Sequence, residues 1–346
     1  MPIEFRRERK ILEVKTNQGE LVKYEIELRY DPLTDHISVV CPHLEDKWAK
    51  FYFSESNEWL DRTIEASRKQ CIFCLPIIDN VVAKFPGLQM PKEVYRNGDV
   101  YVFPNLYPRT SFEAVVTNPH LHVIDLSIDL SNYFYDLLSS AIDCINEAYN
   151  KNSDLRYSVI GCNYLPPAGA SLMHFHMQIS MQEIAFYKLK VLMEKSNSYY
   201  EHHKSSYWKD LLNENKDRMI AAEGNIHWYV PFAPTGFSEI RSVIDRIVLT
   251  DLNAEDIKNI ANGIYKILSY YNSKGYNSFN FILYSGGLDK ESEDFRCGLQ
   301  IVARSNYSEN YLSIDSWYMP YLLEQTVILE KPEELAARLR ERWQFI

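Results

Sequence analysis

The stretch Ser171-Leu-Met-His-Phe-His-Met-Gln178 constrains this chain more than any other. Side chains on an extended segment alternate with period two, so His174, His176 and Gln178 fall on one side and Phe175, Met177 and Ile179 on the other. The run reads as a half-buried strand whose apolar face meets a core and whose polar face carries two imidazoles and an amide. Such a row suits phosphate chemistry. One imidazole attacks phosphorus or holds a metal, its neighbour does the other job, and an uncharged amide donates to a phosphoryl oxygen without competing as a base. His-x-His pairs also arise on strand surfaces with no role, so the approach to the pair matters. Asn163-Tyr-Leu-Pro-Pro-Ala-Gly-Ala-Ser171 is rich in turn formers and small residues, which let backbone come close to a ligand.

Composition bounds the rest. With 346 residues, 46% of them hydrophobic and 14% aromatic, the chain can bury a large core and is long enough for two domains. A formal net charge of −10 argues against a general nucleic-acid binder. Six cysteines are too few and too unevenly spaced for a disulfide scaffold, and residues 1–10 lack the apolar core of a signal peptide. No apolar run approaches the ~20 residues of a membrane span. A reducing, cytoplasmic setting without membrane attachment is the expectation.

Along the chain, Glu20 to Tyr30 alternates as a strand, Arg29-Tyr-Asp-Pro-Leu-Thr-Asp-His36 is a turn, and Ile37 to Cys41 is a second strand. Cys71-Ile-Phe-Cys74 has the spacing of a metal knuckle, a redox pair or two buried thiols. As a metal site it needs two further ligands, and His120, His122 and His174 are the candidates. Phe112 to Thr117 and Tyr157 to Cys162 read as strands, and Ser131 to Asn150 as a helix with Phe134, Leu137, Leu138, Ala141, Ile142 and Ile145 on one face. Glu183 to Arg218 is charged and helical, with His202 and His203 at its surface. A strand at Arg246 to Leu249, a helix at Asp251 to Tyr271, strands at Phe279 to Tyr284 and Cys297 to Arg304, and a helix at Pro332 to Arg342 follow. The like order of strands, helix and strands in the two halves suggests a duplication.

The Asn, Gly-x-Ser, His-x-His-x-Gln pattern resembles that of the galactose-1-phosphate uridylyltransferase family, the transferase branch of the histidine-triad superfamily. The Arg29 to Thr34 turn, with Cys41-Pro-His43 after it, is also similar to that family, as are Cys71 and Cys74, Tyr101 to Arg109 and the tail Ser316 to Gln325. The resemblance implies an α+β fold of two histidine-triad-like modules, each a mainly antiparallel sheet with a long helix: 1–195 catalytic and 196–346 without catalytic histidines of its own. It implies His176 as the nucleophile that takes the nucleotidyl group, with Ser171 and Gln178 holding phosphate oxygens. Asn105, Asn163, Gly169 and Lys47 are the further substrate contacts. One structural zinc per chain would be bound by Cys71, Cys74, His174 and His122, the last chosen because it stands four residues before Leu126, as the family ligand stands before a leucine that opens a helix. His120 is the alternative.

The chain departs from the family at Phe175, and at Leu44 and Leu322, where an arginine and a glutamate are usual. It departs again at Leu106, where some members place an aspartate, and at Gln300 and Val302, where many carry a second metal-binding His-x-His. No second metal is expected. The activity implied is transfer of a nucleoside monophosphate, UMP first, from a nucleotide sugar to a sugar 1-phosphate by a homodimer. Gln178 stands where hydrolases of the superfamily carry a third histidine, which favours transfer. The rivals are a phosphorylase or hydrolase using the same histidine, and a metal-stabilised binding module that has lost catalysis.

Overall fold

Two sheets carry the chain in the computed structural model, which describes residues 3–52, 58–289, 293–311, 313 and 315–344. The smaller begins as a hairpin of β1 (Arg7–Lys15) and β2 (Leu21–Tyr30), continues to β3 (Ile37–Val40), and is completed by β14 (Thr326–Ile328), which lies parallel to β3. The hairpin turn at Asp31 closes as its residues predict. The Asp31 carboxylate accepts from the backbone of Leu33 and Thr34 and from the Thr34 hydroxyl. Helix α1 (Glu45–Tyr52) follows β3, and α2 (Glu58–Arg68) and α3 (Ile78–Val81) flank the paired cysteines.

The larger sheet has ten strands in the order β4-β5-β6-β8-β7-β12-β13-β11-β10-β9, every pairing antiparallel. Its first half is β4 (Tyr95–Asn97), β5 (Val100–Pro104), β6 (Phe112–Thr117), helix α4 (Ser131–Lys151), β7 (Tyr157–Tyr164) and β8 (His176–Gln182). Its second half repeats that order with β9 (Met219–Glu223), β10 (Ile226–Tyr229), β11 (Phe237–Ile244), α7 (Ala254–Ser273), β12 (Phe279–Tyr284) and β13 (Cys297–Ala303). The halves meet where β7 pairs with β12, Asn163 opposite Asn280 and Gly161 opposite Ile282. The expected duplication is thus a pseudo-twofold pair of modules sharing one sheet. The equivalence that sets Gly161 on Ile282, the residue opposite it, sets Gln178 on Gln300 and His176 on Gly298.

One face of the sheet is covered by α4 and α7, which pack on each other. The α4 stripe is the predicted one: Phe134, Leu137, Leu138, Ala141, Ile142 and Ile145 are buried against Phe175, Met177 and Ile179 and the rest of the main core. Asn253 and Asp256 form a capping box at the start of α7, side chain to backbone in both directions. Gly263 lets α7 approach Trp228, since a Cβ there would stand 2.1 Å from the indole. Between the modules run α5 (Tyr187–His203) and α6 (Tyr207–Glu214), as the charged helical stretch predicts; the expected boundary between 195 and 196 falls inside α5. The tail forms α8 (Tyr318–Leu323), β14 and α9 (Pro332–Trp343).

Two local expectations fail. Arg246–Leu249 is not a strand: β11 ends at Ile244, and the Arg246 guanidinium turns to the Asp256 carboxylate at the start of α7, 2.7 Å away. Leu126 opens no helix. It lies in a turn, and α4 begins at Ser131.

The small sheet is tied to the large one by charge. Arg29, wholly buried, donates to Glu27 at 2.7 and 2.9 Å and forks onto both oxygens of Glu333 at 2.9 Å, and Arg218 reaches the same carboxylate at 2.9 Å. Burial alone would raise the Glu333 carboxyl, but the Arg29 and Arg218 contacts outweigh it and hold it down at about 2. A carboxyl depressed from 4.5 stabilises the fold above that value and loses the contribution as pH falls through about 2. Arg29→Met leaves buried Glu27 with only Arg9 at 3.2 Å and Arg7 at 3.8 Å, and Glu333 with Arg218, and should cost about 3 kcal/mol at neutral pH. In denaturant titrations the gap from the unsubstituted protein should narrow below 4.5 as Glu333 titrates. Equal midpoints at neutral pH would contradict this account.

Candidate active site and metal centre

The site lies on the sheet face that α4 and α7 leave uncovered. Cys71 follows α2, and the turn that brings Cys74 beside it is closed by Cys74 N–H donating to Cys71 O at 3.2 Å. His122 comes from the loop after β6, and His174 from the bend before β8. The strand itself begins at His176, so the expected three-residue row is broken after His174. Segment 171–175 leaves regular pairing because its polar groups are taken elsewhere: Phe175 N–H donates to His122 O at 2.8 Å, and the Thr117 hydroxyl donates to Phe175 O at 2.7 Å. The apolar side of the run is as predicted.

Cys71, Cys74, His122 and His174 bring four ligand atoms within 4.8 Å of one another. Nδ1 of His174 is 3.4 Å from Cys71 Sγ, 3.3 Å from Cys74 Sγ and 3.4 Å from Nδ1 of His122, which is itself 3.4 Å from Cys74 Sγ. The opposite ring nitrogens are held from outside. His174 Nε2 donates to Asn118 O at 3.0 Å, and His122 Nε2 meets the Ser67 hydroxyl at 2.8 Å. Those bonds turn both Nδ1 lone pairs inward, as a metal requires. Burial, with Cys71 alongside, pushes the Cys74 thiol up to about 12, and burial brings His174 down to about 4. Two cysteines, bound as thiolates, with two imidazoles are a donor set that fits zinc. His120 is outside the cluster, on the surface beside Asp99 at 3.6 Å.

His176 follows the cluster directly. Its ring is buried, and its Nδ1 donates to His174 O at 2.8 Å, which leaves Nε2 with the lone pair. Burial lowers its pKa, so the ring is held neutral. Phe73, from between the two cysteines, stands edge-on to both rings, with centroids 5.4 Å from His176 and 5.9 Å from His174.

Beyond His176 a groove of about 370 Å³ crosses the sheet, lined by Gln178, Gly161, Asn163, Asn280, Gln300 and Val302 among others, so both modules wall it. Asn163 Oδ1 accepts from Asn280 at 2.7 Å, and Asn280 also donates to Ala168 O at 2.8 Å, tying the Pro-rich loop to the second module. Gly169 turns that loop with φ +85°, where a side chain would be strained, and Ser171 is exposed after it. Asn105 donates to Glu113 at 3.1 Å. Gln300 is engaged by Glu239 and Thr235 at 2.8 and 3.0 Å. Lys47 is exposed on α1, and among the described residues no hydrogen bond or ion pair joins it to this group. Leu44 packs with Leu329 in the core beneath α1, while Leu106 and Leu322 are exposed.

Sequence reasoning passed over Arg109, Glu113 and Asn280. Glu113 is a carboxylate in a strand that is buried at every position, and that alone signals a partnered network.

No family model matches the chain. An uncharacterized protein from Archaeoglobus fulgidus is 30% identical over 344 residues, covering 99% of this chain and 99% of its own. Among solved structures, a GalT-like protein from Arabidopsis thaliana has a TM-score of 0.69 at 19% identity, over 91% of this chain and 98% of its own. An ADP-glucose phosphorylase from Arabidopsis thaliana with bound ADP-glucose has a TM-score of 0.68 at 19% identity, over the same shares. A uridylyltransferase has a TM-score of 0.66 at 18% identity, over 92% of this chain and 98% of its own.

Proposed function

The chain belongs to one family with the Archaeoglobus fulgidus protein and has the fold of the galactose-1-phosphate uridylyltransferases, and from that premise we propose that it is a nucleotidyltransferase working through a covalent nucleotidyl-histidine at His176. The observation that carries the reading is the state of His176: buried, neutral, with Nδ1 committed to a backbone carbonyl and Nε2 left to attack. The Nε2 lone pair forms a bond to the α-phosphorus of a nucleotide sugar. The bond from that phosphorus to the bridging oxygen breaks, and the sugar 1-phosphate leaves with the electron pair. The phosphate oxygen of an acceptor then attacks the same phosphorus and the pair returns to Nε2. No proton has to move, because both leaving groups are stable without one.

Gln178 and Ser171 serve as phosphoryl contacts, and Asn105, Asn163, Gly169 and Lys47 as the remaining substrate contacts. A zinc ion held by Cys71, Cys74, His122 and His174 would supply the charge that two thiolates need and would fix the carbonyl on which His176 rests.

UDP-glucose and a sugar 1-phosphate are the first donor and acceptor, by resemblance. The departures at Leu44 and Leu322, together with a phosphorylase among the proteins of the same fold, support phosphorolysis as the second reading. Product analysis separates them: the enzyme loaded from a nucleotide sugar is offered a sugar 1-phosphate, inorganic phosphate or water alone. Discharge onto the sugar 1-phosphate is expected; discharge onto phosphate or water alone assigns the protein to the second class.

A homodimer belongs to the same reading, supported by the hairpin β1–β2, whose Ile11, Leu12, Val14 and Leu21 are exposed. A strict monomer in light scattering removes it. All six cysteines are free and no described helix is long and apolar enough to cross a membrane, which supports a cytoplasmic setting; recovery in a membrane fraction would count against that.

A further inference from the structure

Arg109 stands beside the proposed phosphoryl contact in a geometry that its neighbours build. Its Nε donates to Glu113 at 3.3 and 3.4 Å, and its Nη2 faces Gln178 Oε1 at 3.5 Å. Among the described residues Nη1 has no hydrogen-bond partner, and the side chain is 63% exposed. The guanidinium is thus anchored at its stem end and open at its fork.

The anchor is not an ordinary surface ion pair. Glu113 is 3% exposed at the side chain, within a strand buried throughout, and it also accepts from Asn105 at 3.1 Å and from Ser180 at 3.4 Å. One inward carboxylate therefore sets Asn105, Arg109 and Ser180 on the face that carries Gln178. An arginine has donors and no acceptor, so the Gln178 side chain must turn its oxygen toward Arg109 and its NH₂ away, leaving two donors for a phosphoryl oxygen.

Charge completes the argument. A phosphoanhydride carries two negative charges, and Leu44 supplies no charge to oppose them at the position where the resemblance places an arginine. A planar fork with an unused edge, beside an amide whose donors face the same ligand, matches two oxygens of one phosphate, which a lysine's point charge does not.

We propose that Arg109 is a phosphoryl-binding catalytic residue of this site, clamping the phosphoanhydride of the donor and turning the Gln178 amide toward it. The inference rests on the nucleotidyl-transfer reading for the ligand's identity, but its test separates from that reading. Binding of inorganic pyrophosphate and of UDP is measured by calorimetry on His176→Gly protein, where no covalent step intervenes, with and without Arg109→Gln or Arg109→Lys. Arg109→Gln should weaken both ligands by about 10- to 100-fold, the range of a charged hydrogen bond, with Arg109→Lys between. Metal content should not move, because Arg109 contacts none of the four ligands; the melting temperature should fall in Arg109→Gln, which leaves the buried Glu113 without its charged partner, and recover in Arg109→Lys, so affinity is compared below both transitions. With His176 intact, Arg109→Gln should also slow adduct formation at saturating donor, which a role in binding alone would not do.

Unchanged affinity for both ligands would overturn the inference, and so would an unchanged single-turnover rate. Arg109-dependent pyrophosphate binding in a protein that takes up no nucleotidyl group would instead overturn the transfer reading and leave Arg109 a phosphate ligand.

Discussion

His176→Gly should abolish turnover, with a loss of about 10⁴-fold or more, while zinc content stays at the parent level. The separation is possible because the geometry divides labour between two adjacent histidines. His174 faces the cluster with Nδ1 and is tied outside by Asn118; His176 is not a ligand and is joined to that framework by one hydrogen bond to His174 O. Removing His176 deletes that bond and a buried ring, a cost of about 1–3 kcal/mol that a fold of this size tolerates. Removing it also deletes a ring nitrogen that is neutral and, among the described residues, uncommitted. Glycine leaves a cavity at the nucleophile's position, so imidazole added in solution should restore a fraction of the activity. A His176→Gly protein that turns over at the parent rate would end the mechanism. One that loses its zinc would show that the two histidines are not separable in the way the hydrogen bonds indicate.

The second large effect is on stability. Cys71→Ser should lower zinc content from one per chain to a small fraction and cost about 4 kcal/mol or more, a fall in melting temperature of about 10 °C. The cluster binds together the knuckle 71–74, the loop carrying Asn118 and His122, and the approach to β8, segments that the chain separates widely. Without the ion these four donors face one another across a polar pocket with little mutual attraction. His174→Ala should have the same sign and in addition slow transfer, since it releases the segment whose carbonyl orients His176. Elemental analysis that finds no zinc, or a Cys71→Ser protein with unchanged zinc and melting temperature, would contradict the site.

The features read most directly from sequence are those with a periodic or spacing signal. The apolar stripe of α4 and the inward side of β8 follow from periods of 3.6 and 2, and both are buried as read. Cys71 and Cys74, with two residues between them, needed partners from elsewhere, and the structure brings His122 and His174 to them.

What sequence reasoning missed lies where tertiary contacts override local pattern. His174 leaves the strand because the loop carrying Asn118 and His122 competes for the hydrogen bonds of 171–175. Arg246–Leu249 is drawn off a strand path by Asp256 at the start of α7. Arg109 and Glu113 are four residues apart, but Arg109 lies in the bend before β6, where neither the helical nor the strand period applies. The sharing of one ten-stranded sheet by both modules was also invisible, since the edge on β7 that accepts β12 carries no mark distinguishing it from an edge left open to solvent.

The covalent intermediate tests the central claim most directly. Intact mass of the protein after incubation with UDP-glucose and no acceptor should rise by one UMP per chain, the adduct being lost in acid and kept in base as a phosphoramidate is, and His176→Gly protein should show no increase. No mass increase with UDP-glucose or any other nucleotide sugar, or an adduct that persists in His176→Gly, would contradict the account.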